Sequence, residues 1–265
     1  MAKAILLPLI EKGDYLPSEI VGIVGSENSV KPVLTSLPEG INVISSTSPS
    51  LKKVWESPIV LLAVKPQQLN LVCEKLGKDI YRKSTQKNLL ISVIAGLNLN
   101  NLKQLFPYHN CVRVVPNAPV LVSAGLTGIA WGDDVTNKQK QNVQNIFRSI
   151  SRLVELPERQ LDAFLALTSS GPAFIALIIE ALADGAVAAG LSRSMAVELA
   201  CETLNGTISL LEKKDLHPGE LKDMVASPSG TTIEGLRCLE KAGVRSALIE
   251  AIAITAERSR SISQT

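Results

Sequence analysis

The residues Ser227-Pro228-Ser229-Gly230-Thr231-Thr232 gather hydroxyl groups where a helix is predicted to begin, at about Thr231. The first N–H groups of a helix have no partner inside it and form a ready site for a carboxylate. The hydroxyls of Thr231 and Thr232 add donors for a ligand nitrogen or oxygen. The plain alternative is an ordinary Ser/Thr cap. The lead-in through Ser227 and Gly230 is more than a cap requires, which favours a binding turn. Three other segments follow strand-like runs: Ala63-Val64-Lys65-Pro66-Gln67, Ala95-Gly96 and Pro116-Asn117-Ala118-Pro119. Ligands bind at the carboxyl ends of strands in an open α/β sheet. Singly, each segment has a structural reading: Pro66 as the first residue of a helix, Gly96 as a turn, the two prolines as a rigid loop. At successive strand ends they outline one crevice.

Other chemistries are poorly provided for. The two histidines, His109 and His217, are scattered without clustered carboxylates or thiols, so no metal site is expected. Cys73, Cys111, Cys201 and Cys238 form no Cys-x-x-Cys pair and read as small buried hydrophobes of a cytoplasmic protein without a signal peptide. No Gly-x-Ser-x-Gly elbow suggests a hydrolase. With 27 basic against 25 acidic residues and 3% aromatics, the chain has neither the charge nor the stacking surfaces for nucleic acid.

The elements that must position these residues fall into two grammars. Ile20 to Gly25, Pro58 to Val64, Leu89 to Ala95 and Cys111 to Val115 are apolar runs of strand length. Between them lie helical stretches at Pro66 to Leu76, Leu99 to Leu105 and Thr136 to Ser149. Leu126 to Trp131 and Arg152 to Leu156 complete the set. This alternation predicts an α/β fold with a doubly wound, mostly parallel sheet. From Leu161 the chain reads as helices only, punctuated by Gly171-Pro172, Gly190, Pro218-Gly219 and Gly243, with Ser192 as a cap. A boundary near 157 divides an α/β unit, 1–157, from an all-helical unit, 158–265. The stretch Ala173 to Ala189 is apolar almost all round, so it must be buried on all sides. Glu180 and Asp184 argue against a membrane span, because an acid at mid-span costs about 2.5–3.5 kcal/mol. A subunit interface would bury it, and a central helix in a monomer is the alternative.

These segments, in order, resemble the pyrroline-5-carboxylate reductase family. The resemblance rests on Ala63–Gln67, Val112–Asn117, Ser169–Ala173, Glu180–Asp184, His217–Asp223, Ser227–Thr232 and Glu257–Ser259. It implies a Rossmann-like nucleotide-binding domain, a helical dimerisation domain, and reduction of a cyclic imine by NADPH or NADH. It also implies a homo-oligomer of dimers, commonly a decamer. It places the nicotinamide near Ala63, Val64, Lys65, Pro66, Ala95, Gly96, Pro116 and Asn117. The substrate carboxylate would lie on Gly230, Thr231 and Thr232, with Ser227 beside it and Thr232 as the catalytic hydrogen-bond partner of the ring nitrogen. No Asp ends the strand before Gly25 to hold a ribose 2′-hydroxyl, though Glu27 could do so, while Ser26, Asn28 and Lys31 could accept a 2′-phosphate, which favours NADPH.

The chain departs from the family pattern in places. It opens at Met1-Ala2-Lys3-Ala4-Ile5-Leu6, so the expected first strand and Gly-x-Gly-x-x-Gly loop, roughly ten residues, are not in the sequence. Pro8 should kink the first helix. Ser229 stands where the family usually has Gly. The missing loop motivates one alternative, a catalytically impaired binding or scaffold homologue. A β-hydroxyacid-type reductase is a third reading; Leu161 to Ser170 lacks the lysine on which that group relies.

Overall fold

The computed structural model of the chain describes residues 1–77 and 87–264. The predicted apolar runs form strands: β1 (Val21–Val24), β3 (Ile59–Leu62), β4 (Asn88–Ser92), β5 (His109–Pro116), β6 (Gly125–Trp131) and β7 (Ser151–Glu155). A further strand, β2 (Asn42–Ser45), has only two apolar residues between polar ends and carries little sequence signal. The strands lie in two sheets, where one was expected. β1 pairs with β2, and the second sheet runs β3-β4-β5-β6-β7. Every pairing is parallel except β5 with β6.

Helices α1 (Ala2–Glu11), α2 (Val30–Leu34), α3 (Leu51–Trp55), α4 (Leu69–Leu76), α5 (Leu99–Leu105) and α6 (Asn137–Arg148) alternate with these strands. Strand side chains point alternately to the two faces of a sheet. On one face Leu89, Ile91, Val112 and Val114 pack with Ile5 and Leu9 of α1 and with Val143 and Phe147 of α6. On the other, Leu90 and Cys111 pack with Trp55 of α3, Leu69 and Leu76 of α4 and Leu102 of α5. Helices on both faces make the fold doubly wound and Rossmann-like, and they explain why these strands read as continuous apolar runs. Helix α1 continues through Pro8. The proline forfeits one backbone bond, and the burial of Ile5 and Leu9 holds the turns on either side.

The chain divides by contacts into Met1–Ser169, joined by the chain from Ala256 onward, and Ser170–Thr255. The division therefore falls later than the sequence boundary at 157. The reason is α7 (Leu161–Thr168), whose Leu161 is buried against Val115 and Ala130 of the sheet. The second unit contains α8 (Gly171–Ala188), α9 (Arg193–Lys214), α10 (Pro218–Val225), α11 (Thr231–Lys241) and most of α12 (Val244–Gln264). Helices α8 and α9 meet through Ala183, Ala196 and Ala200, whose small side chains permit close approach. Ser192 occupies the cap position of α9 without a hydroxyl bond into the helix.

Within the single chain the central-helix alternative for α8 fails: only Ala183 is buried, and Leu177 is 65% exposed, which leaves the subunit-interface reading standing. Glu158–Ala188 is long and apolar enough, by length and composition, to cross a membrane. One expectation of burial is corrected, that of the cysteines. Of the cysteines only Cys111 is buried; Cys73 is half-buried, and Cys201 and Cys238 are exposed. The exposed pair lie on α9 and α11, where the second unit has little interior to offer.

Candidate functional site

The parallel register aligns the carboxyl ends of three strands in the first unit. Leu62 of β3 pairs with Ser92 of β4, and Ser92 with Arg113 of β5. The Val93 amide donates to the Leu62 carbonyl at 3.0 Å, so the chain leaves β3 and β4 side by side. After β3, Ala63 and Val64 are half-buried, and Lys65 and Pro66 are exposed. Lys65 is extended, and Pro66 opens a 3-10 turn, Pro66–Gln68, that leads into α4. After β4, Ala95 is exposed and Gly96 is buried with φ +76°, a backbone that glycine adopts without strain. The β3 and β4 ends thus offer small apolar groups suited to a flat ring.

After β5 the expected cofactor residue Asn117 is buried, and its amide is committed. Its Oδ1 accepts from the Leu126 N–H at 2.8 Å, and its Nδ2 donates to the Thr168 carbonyl at 3.0 Å. Ser169 Oγ donates to the Pro116 carbonyl at 3.4 Å. The Asn117 side chain therefore ties the loop to its surroundings. Ser26 stands elsewhere, at the carboxyl end of β1 in the two-stranded sheet. It is exposed, and its hydroxyl shares a 2.8 Å hydrogen bond with that of Ser29. The first unit thus gathers Ala63–Pro66, Ala95–Gly96 and Pro116–Asn117 on one edge of one sheet, with Ser26 on another sheet.

The hydroxyl-rich turn lies in the second unit. After α10 the Gly230 N–H donates to the Ser227 carbonyl at 3.1 Å and closes the turn. Ser229 takes the left-handed conformation, φ 55°, that accounts for a glycine preference there. Gly230 is the residue before α11, and a side chain on it would collide with Ser227 Oγ. No side chain caps α11, so the first amides of the helix are left for another acceptor. Thr231 is exposed and Thr232 half-buried. His217 is occupied as a cap: its Nδ1 accepts from the Gly219 N–H at 3.1 Å, and its own N–H donates to Glu220.

Two strongly perturbed groups of the first unit lie in its interior. Burial pushes His109 down to about 4 and the Cys111 thiol up to about 12. Both are therefore neutral near pH 7. Sequence reasoning quoted Arg113 within a motif but assigned it nothing. Its side chain is 3% exposed and meets Glu158 and Asp162 at 3.3 and 3.4 Å. The available signal was a lone guanidinium in an apolar strand, because such a charge must be paired when buried.

Residues 158–262 match a family model described as pyrroline-5-carboxylate reductase dimerisation, and residues 1–96 match one described as NADP oxidoreductase, coenzyme F420-dependent. The chain is 41% identical to a pyrroline-5-carboxylate reductase of Synechocystis over 99% of its own length and 94% of that protein. The pyrroline-5-carboxylate reductase structure from Coxiella burnetii is 31% identical, with a TM-score of 0.82, over 100% of this chain and 95% of that one. The Plasmodium falciparum pyrroline carboxylate reductase, solved with NADP bound, is 27% identical with a TM-score of 0.85, covering 98% and 94%. None of these findings supports a non-catalytic scaffold.

Proposed function

The chain belongs to the pyrroline-5-carboxylate reductase family, and from that premise we propose that it reduces 1-pyrroline-5-carboxylate to L-proline, the last step of proline biosynthesis. The hydride donor is NADPH, with NADH as a second donor. The observation that carries the reading is the uncapped start of α11 beside a turn closed by Ser227 and Gly230. It presents amides to a carboxylate and threonine hydroxyls to the adjacent ring.

The residues at the strand ends fit the two ends of the cofactor. Ala63, Val64 and Ala95 offer the small apolar surface a nicotinamide needs, and the exposed Ser26 and Lys31 can receive a 2′-phosphate. Bound there, NADPH supplies a hydride. The protein's own part is orientation. The amides at Gly230, Thr231 and Thr232 hold the substrate carboxylate, with Ser227 beside them. The Thr232 hydroxyl hydrogen-bonds the ring nitrogen. On reduction of the imine carbon the ring nitrogen would keep the C=N electron pair and take one proton, from water through the Thr232 hydroxyl. Holding the two reactants in register is enough for this chemistry, without a nucleophile or metal. The helical region 158–265 mediates self-association into at least a dimer, up to a decamer, and the enzyme works in the cytoplasm.

The test is loss of NADPH absorbance on adding pyrroline-5-carboxylate, with proline identified as the product. Absence of turnover rejects the enzyme. Thr232→Ala should lower turnover about ten- to a hundredfold, about 1–3 kcal/mol for one hydrogen bond. Unchanged kinetics would remove Thr232 from the site.

A further inference from the structure

We propose that the last turns of α12 are a positioning element for the loop after β4, with Ser259 and Ile262 holding residues 95–99 in the shape that receives the cofactor. The cofactor part of this inference rests on the function proposed above. Two independent contacts carry it, and both lie within the first unit.

The first is a close approach of backbone to backbone. A β-carbon on Gly96 would lie 3.1 Å from the Ile262 carbonyl carbon and closer still to the Ile262 side chain. Gly96 is thus pressed beneath the end of α12, and its left-handed conformation leaves the neighbouring Ala95 exposed.

The second is a relay of charge-assisted hydrogen bonds. Ser259, a buried residue, donates through Oγ to Asp162 Oδ1 at 2.7 Å. The same oxygen receives Arg113 Nη2 at 3.4 Å. The other arm of the guanidinium, Nη1, reaches Glu158 Oε1 at 3.3 Å. That carboxylate oxygen accepts the Leu99 N–H at 2.7 Å, at the start of α5. The relay therefore ends three residues beyond Gly96. The two outer bonds, at 2.7 Å, have the short length of hydrogen bonds to an ionised acceptor, and the Arg113 contacts between them, at 3.3 and 3.4 Å, are looser ion pairs. With its side chain 3% exposed, Arg113 cannot turn to solvent when a partner is lost. One end of the 95–99 segment is held by Ile262 and the other by the relay from Ser259.

The experiment uses the full chain with a Ser259→Ala/Ile262→Ala double variant, and Ser259→Ala alone should the double variant fold poorly. Asp162→Asn, which keeps an accepting oxygen and removes its charge, tests the relay apart from Ser259 and Ile262. Amide hydrogen exchange over residues 95–99 should quicken about tenfold in the alanine variants. The NADPH dissociation constant, by fluorescence titration, should rise about three- to tenfold, while the KM for the imine stays within about twofold. Asp162→Asn should quicken the same exchange about three- to tenfold, because the buried Arg113 loses a charged partner. Unchanged exchange overturns the proposal, and so does faster exchange with unaltered NADPH affinity. Should the parent chain bind neither NADPH nor NADH while exchange still responds, the anchoring of the loop stands and the proposed cofactor reading fails.

Discussion

Strand β5 and helix α8 are both built mainly from apolar residues, and they end in opposite environments. All eight residues of β5 are buried, whereas α8 buries one of its eighteen, Ala183. The strand lies between helices on two faces of a sheet, so this chain supplies the atoms that exclude water from it. The helix packs against α9 through a narrow alanine seam and leaves Ile175, Leu177 and Leu182 in the open. Apolar composition specifies that water must be displaced; it does not specify which chain displaces it. A match to a dimerisation model over residues 158–262 supports self-association through the helical region.

That contrast can be broken most forcefully in the sheet. Ile91→Ala, at a fully buried position, should cost about 2–5 kcal/mol in denaturant unfolding. A loss below about 1 kcal/mol would show that the β4 core is loosely packed. At the start of β5, burial lowers His109 from 6.5 to about 4. The folded chain then keeps the imidazole neutral while the unfolded chain binds the proton first. Stability is unaffected by this group above about pH 6.5 and falls as pH drops toward 4, by about 3 kcal/mol in all. His109→Phe keeps a ring beside Trp55 and Phe106 and removes the proton site. Unfolding free energies of parent and variant at pH 7 and 4.5 should differ in acid sensitivity by most of that amount. Equal sensitivity would contradict the assignment.

On the helical side the expected effects are smaller and concern association. Leu177→Ala should weaken self-association about tenfold, about 1.4 kcal/mol, measured by sedimentation across a dilution series. Unchanged association would take this face of α8 out of the interface. Smallest of all, Glu234→Gln breaks an exposed pair with Arg237 on α11 and should cost only about 0.2–0.5 kcal/mol. A thermal-unfolding loss above about 1 kcal/mol would mean that this face of α11 is desolvated in the assembly.

Legibility followed the range of the interactions involved. Strands β3, β4 and β5 were readable because burial on both faces writes an unbroken apolar run. Strand β2 was not, because Asn42 and Ser45 flank only two apolar residues. The Ser227–Thr232 turn was readable because its determinants are local: Gly230 must lack a side chain beneath Ser227 Oγ, and a helix starts at the next residue. Asn117 lies in the loop after β5, as its place in the sequence suggested, yet its amide serves Leu126 and Thr168. The partners of Arg113 were invisible, since Glu158 and Asp162 reach it only when the chain after β7 folds back, and Ser259 joins Asp162 only when α12 does.

Short-range pattern was sufficient for the alternation of strands and helices, the helical second half, and the hydroxyl-rich turn before α11. Each depends on periodicity or on neighbours a few residues apart, which a linear chain displays directly. The split of the strands into two sheets, the exposure of α8, and the return of Ser259 and Ile262 to the first unit were settled by folding. They depend on which distant surfaces compete for the same space, and adjacency along the backbone does not encode that outcome.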